Sequence, residues 1–353
     1  MPPMRAVTIE PGVAYSVRLD DIEEPDPASG SVLVESVVVG VCGTDAELVS
    51  GIHGWAPPGR ARLVLGHESL GRVLSADPSS GLVAGDLVVG IVRRPDALPC
   101  PNCAVGEWDM CRNGEYTERG IKSLDGFMSE RWRIEPEYAV RVDPTLGDLG
   151  VLLEPTSVVA KAWEQIDATR ARAVWDPRRV LVTGAGPVGL LAAMMATQHG
   201  YDVHVLDQVV DGPKPDVVRA LGATYHAGSV ADIGFEPDVV VECCGDGQVV
   251  VDALEQVARG GVVCLIGSGA GGHTSGPGAA DLATKVMRSN NLVVGIVNAN
   301  RRHFDQAALA LAAADRDWLS RLVTRRVPVD RVADALRREP GDIKVVVEFG
   351  AHA

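Results

Sequence analysis

Long apolar runs are missing from this sequence, since none approaches the roughly 20 residues that a helix needs to span a bilayer. The first residues, Met1 to Arg5, also lack the apolar core of a secretory signal. Aromatic residues make up only 4% of the chain, which leaves few rings to stack on nucleic-acid bases. These absences argue against membrane and nucleic-acid partners, and they predict a cytoplasmic protein.

An excess of positive charge is missing too. The chain has 33 Lys and Arg against 47 Asp and Glu, a net charge of −14, which disfavours binding to polyanions. Its seven cysteines are an odd number without a regular spacing, as expected in a reducing compartment where clustered thiols bind metal. A chain of 353 residues exceeds one ordinary hydrophobic core, so we expect two domains.

The secondary-structure pattern changes along the chain. Up to about residue 95, short β-branched runs with frequent Gly and Pro indicate a partly open β-barrel. A helix is predicted over 157–166 and a glycine-rich loop over 267–272. From residue 179 to residue 297, alternating strands and helices predict a parallel α/β sheet. The strands are predicted at 179–183, 202–207, 237–243, 261–266 and 292–297, and the helices at 187–199, 214–221 and 248–258. The last segment is expected to return to the first domain, with helices at 303–314 and 329–337 and a strand at 344–349.

A glycine-rich turn follows the first strand of the alternating region. Gly184, Gly186 and Gly189 have the spacing that permits a tight turn and close approach of the backbone to a pyrophosphate. Pro187 and Val188 open the next helix, whose N-terminus attracts phosphate. The pattern predicts a dinucleotide site, and the alternative is a turn that serves packing only.

The cofactor preference is predicted from the residue that ends the next strand. Asp207 stands 21 residues after Gly186, close to the separation of about 20 residues expected for a carboxylate that binds the adenosine ribose. Such a carboxylate repels a 2′-phosphate, and residues 208–213 contain no arginine to compensate. We therefore predict NAD in preference to NADP, with a solvated turn carboxylate as the alternative.

Three residues in the first half offer the ligand types that zinc prefers, a thiolate, an imidazole and a carboxylate. Cys42 precedes His67 by 25 residues and Glu68 by 26, and both segments lie beside predicted strands, so we expect them to converge. Glu154, at the entry to the predicted helix, is a fourth candidate. Three or four such ligands with an open position define a catalytic zinc site. The alternative for Cys42 is a small buried hydrophobe.

Neighbouring residues suggest how such a site would handle protons. Asp45 is predicted to accept a hydrogen bond from His67, the usual way of orienting an imidazole ligand. Thr44 is predicted to take the proton of the substrate hydroxyl, and Glu47 is the candidate for the next proton acceptor.

A second cysteine group has the spacing of a structural zinc site. Cys100, Cys103 and Cys111 supply three thiolates, and a fourth is expected three residues before Cys100, where Ala97 stands. Asp96 is the candidate substitute. The alternative is that the three cysteines bind no metal.

Taken in order, the motifs resemble those of the zinc-dependent medium-chain dehydrogenases over nearly the whole chain: Cys42-Gly43-Thr44-Asp45, Gly66-His67-Glu68, Glu154-Pro155 and Gly184 to Gly189. Further stretches look like those of the microbial glucose 1-dehydrogenases within that superfamily. They are Val92-Arg93-Arg94-Pro95, Glu115 to Ile121, Asp125 to Glu130, and Gly295 to Asn298 with His303-Phe304.

The resemblance implies a GroES-like β-barrel catalytic domain over 1–165, completed by 301–353, and a Rossmann domain with a doubly wound parallel sheet over 166–300. It places Cys42, His67, Glu68 and Glu154 around zinc, and the substrate against Thr44, Glu118, Glu154 and Asn298. Glu118 has a solvated loop charge as its alternative. The family's habit of forming homodimers or homotetramers suggests the same here by analogy.

The reaction implied is oxidation of the C1 hydroxyl of an aldose to a lactone, with hydride transfer to NAD. Zinc lowers the pKa of the bound hydroxyl, and the cofactor accepts the hydride. Three alternatives stay open: a dehydrogenase of another polyol, aminosugar or secondary alcohol; a zinc-free NAD(P)H:quinone reductase; and a nucleotide-binding protein without turnover.

Overall fold

The structure is a computed structural model that describes residues 3–269 and 274–350. Part of the predicted glycine-rich loop, residues 270–272, lies outside the described residues. The chain divides into two compact units, the first comprising Met1–Ser157, Asn298–Arg316 and Val323–Ala353 and the second Val158–Val297 and Asp317–Leu322. In the part that the structure describes, no helix combines the length and hydrophobicity needed to cross a membrane.

The first unit is rich in short strands, as predicted. In chain order its first eleven strands are β1 Met4–Ile9, β2 Arg18–Ile22, β3 Val32–Val41, β4 Leu63–Val64, β5 Glu68–Ser75, β6 Leu87–Gly90, β7 Arg93–Arg94, β8 Thr117–Arg119, β9 Ser123–Leu124, β10 Arg131–Ile134 and β11 Ala139–Arg141. Two short helices interrupt them, α1 Gly43–Val49 and α2 Pro101–Ala104.

Strand β3 is the central element of the first unit. Its β-branched residues alternate between buried and half-buried positions, as expected of a strand with one face on the core. It pairs antiparallel with β5 and β10. The core behind it includes Trp132 and Phe127, whose rings meet edge to face at 4.7 Å between centroids. The pairing of Gly40 with Glu68 brings the end of β3 to the start of β5, where the candidate metal ligands lie.

The second unit has the predicted alternation of strand and helix. Helix α3 Leu153–Ala168 begins in the first unit and continues into the second. The remaining elements are β12 Arg179–Thr183, α4 Pro187–Gln198, β13 Asp202–Asp207, α5 Pro213–Ala220, β14 Thr224–Ala227, β15 Val239–Glu242, α6 Gly247–Gln256, β16 Val262–Leu265, α7 Ala279–Ser289 and β17 Leu292–Gly295. The strands form one parallel sheet in the order β14-β13-β12-β15-β16-β17. The predicted fold class is thereby confirmed.

Two elements of this unit, β14 and α7, were absent from the sequence prediction. Strand β14 has no apolar run, since its sequence is Thr-Tyr-His-Ala and its residues are half-buried or exposed. Helix α7 has an amphipathic sequence that the prediction overlooked, and Ser289 is its only buried residue. Its presence follows from topology, because two parallel strands such as β16 and β17 need a crossover between them.

Most of the C-terminal segment belongs to the first unit, and Asp317–Leu322 belongs to the second. The segment contains α8 Arg301–Ala312, α9 Arg316–Ser320, β18 Val323–Pro328, α10 Val332–Ala335 and β19 Lys344–Glu348. Strand β19 pairs with β3 and with β18, which completes the seven-stranded sheet. The helix predicted over 329–337 is wrong in extent, since a 3₁₀ turn at Val329–Arg331 precedes only four α-helical residues.

Two histidines face each other on neighbouring strands of the second unit. His204 Nδ1 lies 2.8 Å from His226 Nε2, the Phe235 ring packs on His204, and Asp202 lies 3.4 Å from His204 Nε2. Burial and the charge of His204 lower the pKa of His226. The folded state therefore favours neutral His226.

This pair predicts a loss of stability in acid. The contribution of neutral His226 is fully present above its ordinary pKa of about 6.5 and is lost as the pH falls through the lowered folded value. In His226→Gln, the free energy of unfolding should fall less between pH 7.5 and 5.5 than in wild type, as measured by urea denaturation. His199→Gln, which removes an imidazole from the same unit, is the control. Identical pH dependence in wild type and His226→Gln would contradict the prediction.

Candidate functional site

The structure brings three of the predicted zinc ligands together in the first unit. The Sγ of Cys42, a ring nitrogen of His67 and a carboxylate oxygen of Glu68 all lie within 4.8 Å of one another. Cys42 is the N-cap of α1, directly after β3, and Glu68 is the first residue of β5. Because β3 and β5 are paired, their adjoining ends meet at one place.

Two glycines make room for this cluster. Gly66 has a φ of +89°, and a Cβ there would lie 2.5 Å from the side chain of Met128. A Cβ at Gly40, on the opposite strand, would overlap the carboxylate of Glu68. Glycine at both positions therefore lets His67 and Glu68 turn toward Cys42.

Asp45 lies next to His67, but the two side chains do not form the predicted hydrogen bond. Its Oδ2 accepts a hydrogen bond from the Cys42 backbone N–H at 2.9 Å, and its Oδ1 lies 3.7 Å from His67 Nδ1. Both Oδ1 and Nδ1 are buried, and neither has a hydrogen-bond partner among the residues that the structure describes. Burial lowers the pKa of His67, but Asp45 and Cys42 raise it by more, so the net shift is upward. This concentration of negative charge around an imidazole suits a cation.

Lys344 is a partner of Glu68 that the sequence analysis missed. Its Nζ donates to Glu68 Oε1 at 2.7 Å and Oε2 at 2.5 Å, and both side chains are 1% exposed. It also donates to the Val41 carbonyl at 3.1 Å. The Glu68 carboxylate therefore lies near both the Lys344 ammonium group and the candidate ligand atoms of Cys42 and His67.

Glu154 lies in the first turn of α3 and is 7% exposed. It is not one of the three residues whose ligand atoms lie within 4.8 Å of one another. Burial and the repulsion of Glu68 raise its pKa to about 7, against the attraction of His67 and Lys344. It therefore belongs to the same electrostatic environment.

Thr44 and Glu47, the predicted proton carriers, both lie in α1 and are half-buried. The carboxylate of Glu47 lies 3.0 Å from His53 Nε2. His53 stands in the segment after α1, and the sequence analysis gave it no role in proton transfer. His53 therefore places an imidazole next to the polar residues of α1.

Glu118 and Asn298, the predicted sugar contacts, lie together in the first unit. Asn298 Nδ2 donates to Glu118 Oε1 at 3.2 Å. Arg93 donates to the same oxygen through Nε at 3.0 Å and Nη2 at 2.9 Å, and its guanidinium lies over the Tyr116 ring at 3.6 Å. Sequence reasoning missed Arg93 as a partner, although two adjacent arginines in a predicted strand region were a signal for buried ion pairs.

The second cysteine group also converges. The sulfur atoms of Cys100, Cys103 and Cys111 lie within 4.8 Å of one another. Backbone N–H groups of Arg112 and Cys103 point at Cys100 and lower its pKa to about 6, whereas burial raises that of Cys103 to about 11.

The structure does not bring the predicted fourth ligand of this group into place. The oxygens of Asp96 accept hydrogen bonds from the Leu98 N–H at 2.8 Å and from Asn113 Nδ2 at 2.7 Å. Its carboxylate is therefore used to hold the loop, and it is not among the grouped ligand atoms.

The glycine-rich turn of the second unit lies at the carboxyl end of β12. Gly184 has a φ of +88°, and a Cβ at Gly189 would overlap the Gly184 carbonyl oxygen. Gly186 is the N-cap of α4, and Pro187 and Val188 are its first two residues. The free N–H groups at this end can receive phosphate oxygens.

Asp207 ends β13 beside this turn. Its Oδ2 accepts from the Ala185 N–H at 2.7 Å and from Lys214 Nζ at 2.9 Å, and its Oδ1 accepts from the Val209 N–H at 3.1 Å. Burial raises its pKa, but these donors lower it by more, so Asp207 is anionic at neutral pH. The sequence analysis did not consider Lys214, which directly follows residues 208–213.

Comparison with known proteins agrees with this arrangement. Residues 28–144 match the model of the alcohol dehydrogenase GroES-like domain, and residues 147–349 match that of the glucose dehydrogenase C-terminus. A glucose 1-dehydrogenase of Methanocella arvoryzae is 37% identical over 99% of this chain and 100% of its own length. One from Thermoproteus tenax is 40% identical over 98% of this chain and 99% of its own length.

A solved structure has the same fold over its whole length. It is Haloferax mediterranei glucose dehydrogenase in complex with NADP, Zn and gluconolactone, with a TM-score of 0.90 and 31% identity, covering 99% of this chain and 100% of that one. The L-idonate 5-dehydrogenase of Escherichia coli has a TM-score of 0.77 at 20% identity, which shows the shared fold alone.

Proposed function

This chain belongs to the glucose dehydrogenase family of zinc-dependent medium-chain dehydrogenases, and from that premise we propose that it oxidises the C1 hydroxyl of an aldose to a lactone with NAD as the preferred acceptor. The family makes it an NAD(P)-dependent zinc sugar dehydrogenase. The convergence of Cys42, His67 and Glu68 is the observation that supports the proposal most strongly.

The donor set fits a zinc ion. A thiolate, an imidazole and a carboxylate are grouped in a buried place, and two further carboxylates, Asp45 and Glu154, are 0% and 7% exposed. Without a cation, burying so many acids is costly, and Lys344 offsets only part of the charge. When bound, zinc supplies Lewis-acid chemistry that lowers the pKa of a substrate hydroxyl. We propose Cys42, His67 and Glu68 as its ligands, with Glu154 as the fourth candidate.

Residues of the first unit would hold the sugar. Because Arg93 and Asn298 both donate to Oε1 of Glu118, its Oε2 is left to accept from a sugar hydroxyl. The ion pair with Arg93 at 2.9 Å fixes the direction of the Glu118 carboxylate. A substrate that lacks the matching hydroxyl would leave a buried carboxylate oxygen unpaired, which is the basis of strong discrimination.

The proton of the reacting hydroxyl needs a way out. We propose that the Thr44 hydroxyl receives it and passes it toward Glu47 in the same helix. His53 Nε2, 3.0 Å from the Glu47 carboxylate, extends this route by one step. The hydride leaves C1 for the nicotinamide at the same time, so the sugar loses two electrons and becomes the lactone.

The substrate class is tested with a panel of aldoses, sorbitol, threonine and simple secondary alcohols. The proposal expects reduction of NAD with an aldose and formation of a lactone that hydrolyses to the acid. In Glu118→Gln, kcat/KM for the aldose should fall roughly 10- to 100-fold, because a charge-assisted hydrogen bond is lost.

Glu135→Gln is the matched control for this variant. Glu135 forms the neighbouring pair with Arg94 at 3.0 Å and has no place in the proposed sugar contacts. Its substitution should leave the substrate profile unchanged. A wild-type preference for sorbitol or threonine over every aldose would overturn the substrate assignment.

The cofactor preference depends on two charges at the end of β13. The anionic Asp207 repels a 2′-phosphate, while Lys214 at 2.9 Å weakens that repulsion. We propose that the net effect favours NAD, because three donors to Asp207 hold it in its charged form. Lys214 also explains how NADP would be admitted at lower efficiency.

Two substitutions should move this preference in opposite directions. Asp207→Asn removes the negative charge and should raise the ratio of NADP to NAD efficiency by roughly tenfold or more. Lys214→Met removes the compensating cation and should lower the same ratio. The measurement is kcat/KM with each cofactor at saturating sugar. A ratio that does not change in Asp207→Asn would contradict the proposed role of this carboxylate.

A further inference from the structure

A cavity of about 780 Å³ lies in the second unit, away from the glycine-rich turn. Its walls include residues just before two parallel strands, since Gly260 precedes β16 and Asn291 precedes β17. Trp175 precedes β12 on the same side. The cavity is therefore at the amino ends of the strands, whereas the dinucleotide turn is at their carboxyl ends. The proposed sugar oxidation uses none of its residues.

The charge of the cavity is opposite to that of the chain. The cavity is lined by Arg172, Arg259 and Arg288, and none of the described residues that line it is Asp or Glu. The whole sequence, by contrast, carries a net charge of −14. Within residues 3–269 and 274–350, none of these arginines pairs with a carboxylate. Arg172 is held in place by the carbonyl oxygens of Asn290 at 3.1 Å and Gly260 at 3.4 Å. All three residues are exposed, and Arg259 donates to the Arg288 carbonyl oxygen at 3.4 Å. Three such arginines favour an anionic ligand.

A buried amide in the same wall points to a second feature of that ligand. Asn291 is 7% exposed, and its Nδ2 donates to the carbonyl oxygens of Ala258 at 2.6 Å and Gly261 at 3.4 Å. These bonds fix the direction of the amide. Its Oδ1 is buried and has no hydrogen-bond partner in the described part of the chain. A buried acceptor left unsatisfied is costly, so a donor from a ligand would relieve it.

We propose that this cavity binds a phosphorylated small metabolite, with the phosphate on the arginines and a hydroxyl or amino group on Asn291. Arginine matches phosphate because its planar N–H groups form paired, charge-assisted hydrogen bonds. Trp175 and Met287 supply an apolar wall for the carbon skeleton. A nucleoside monophosphate and a hexose phosphate share this chemistry, and the cavity has room for either. Binding here stabilises the second unit by mass action.

The test is calorimetric titration of the zinc-loaded protein saturated with NADH, with AMP and glucose 6-phosphate as separate probes. Saturation with NADH keeps AMP from the dinucleotide site. We expect one probe or both to bind, and the probe that binds identifies the source. In Arg288→Gln the dissociation constant should rise roughly tenfold or more, and in Arg259→Gln/Arg288→Gln further still.

Arg219→Gln is the matched control, because Arg219 is an exposed arginine of the same unit that pairs with Asp216 outside the cavity. It should bind the probes like wild type. Sugar oxidation without a probe should be unchanged in all these variants. The proposal is overturned if neither probe binds at millimolar concentration, or if the double variant binds them as tightly as wild type.

Discussion

Cys42→Ala should lower kcat/KM for the aldose by about 10³-fold, the loss expected when several kcal/mol of charge stabilisation are removed from a reaction. Cys42 supplies the one sulfur in the group formed with His67 and Glu68. Without it, two protein ligands and the more distant Glu154 remain, and zinc affinity should fall with activity. Steady-state kinetics and metal analysis of the purified variant measure both.

Cys264→Ala is the control for loss of a buried thiol. Cys264 is fully buried in β16 and belongs to neither cysteine group. The Cys264→Ala variant should have an activity per folded chain close to that of wild type. If Cys42→Ala were as active as Cys264→Ala, the thiolate would have no role in the chemistry, and the proposed metal site would be wrong.

Lys344→Met should lower the free energy of unfolding of the metal-free protein by about 3–5 kcal/mol, the usual cost of breaking a buried ion pair by removing one partner. Both partners are 1% exposed, so water cannot replace the lysine at Glu68. Glu154, whose pKa is already raised by burial and by Glu68, would lose a compensating charge as well. Chemical denaturation followed by fluorescence measures the change.

Arg326→Met provides the contrast, because Arg326 lies on the neighbouring strand β18 and pairs with Glu348 at 3.1 Å while 38% exposed. An exposed pair of this kind contributes about 0–1 kcal/mol. Equal effects of the two substitutions would contradict the account, since they would mean that the Lys344–Glu68 pair stabilises the fold no more than a solvated one.

The sequence was most informative where function depends on adjacent residues. Gly66-His67-Glu68 and the turn from Gly184 to Gly189 carry their geometry locally, because glycine is required where the chain turns sharply or packs closely. The family resemblance rested on the same short motifs. Helices and strands were predicted from apolar patterns, and the prediction failed where the pattern was weak, as in β14.

The partners of the functional side chains were beyond sequence reasoning. Lys344 and Glu68 are 276 residues apart, and no local pattern links a lysine in the last strand to a carboxylate in β5. Arg93 meets Glu118 only because β7 pairs with β8. Lys214 meets Asp207 because α5 packs back toward the end of β13. Each of these contacts depends on strand pairing or helix packing, which the local sequence does not specify.

The most direct test of the central claim is a crystal structure of the zinc-loaded protein with anomalous scattering recorded at the zinc absorption edge. The account predicts a peak bounded by the Cys42 sulfur, an imidazole nitrogen of His67 and a carboxylate oxygen of Glu68. A fully loaded, active crystal with no peak there, or with its only peak among Cys100, Cys103 and Cys111, would contradict it.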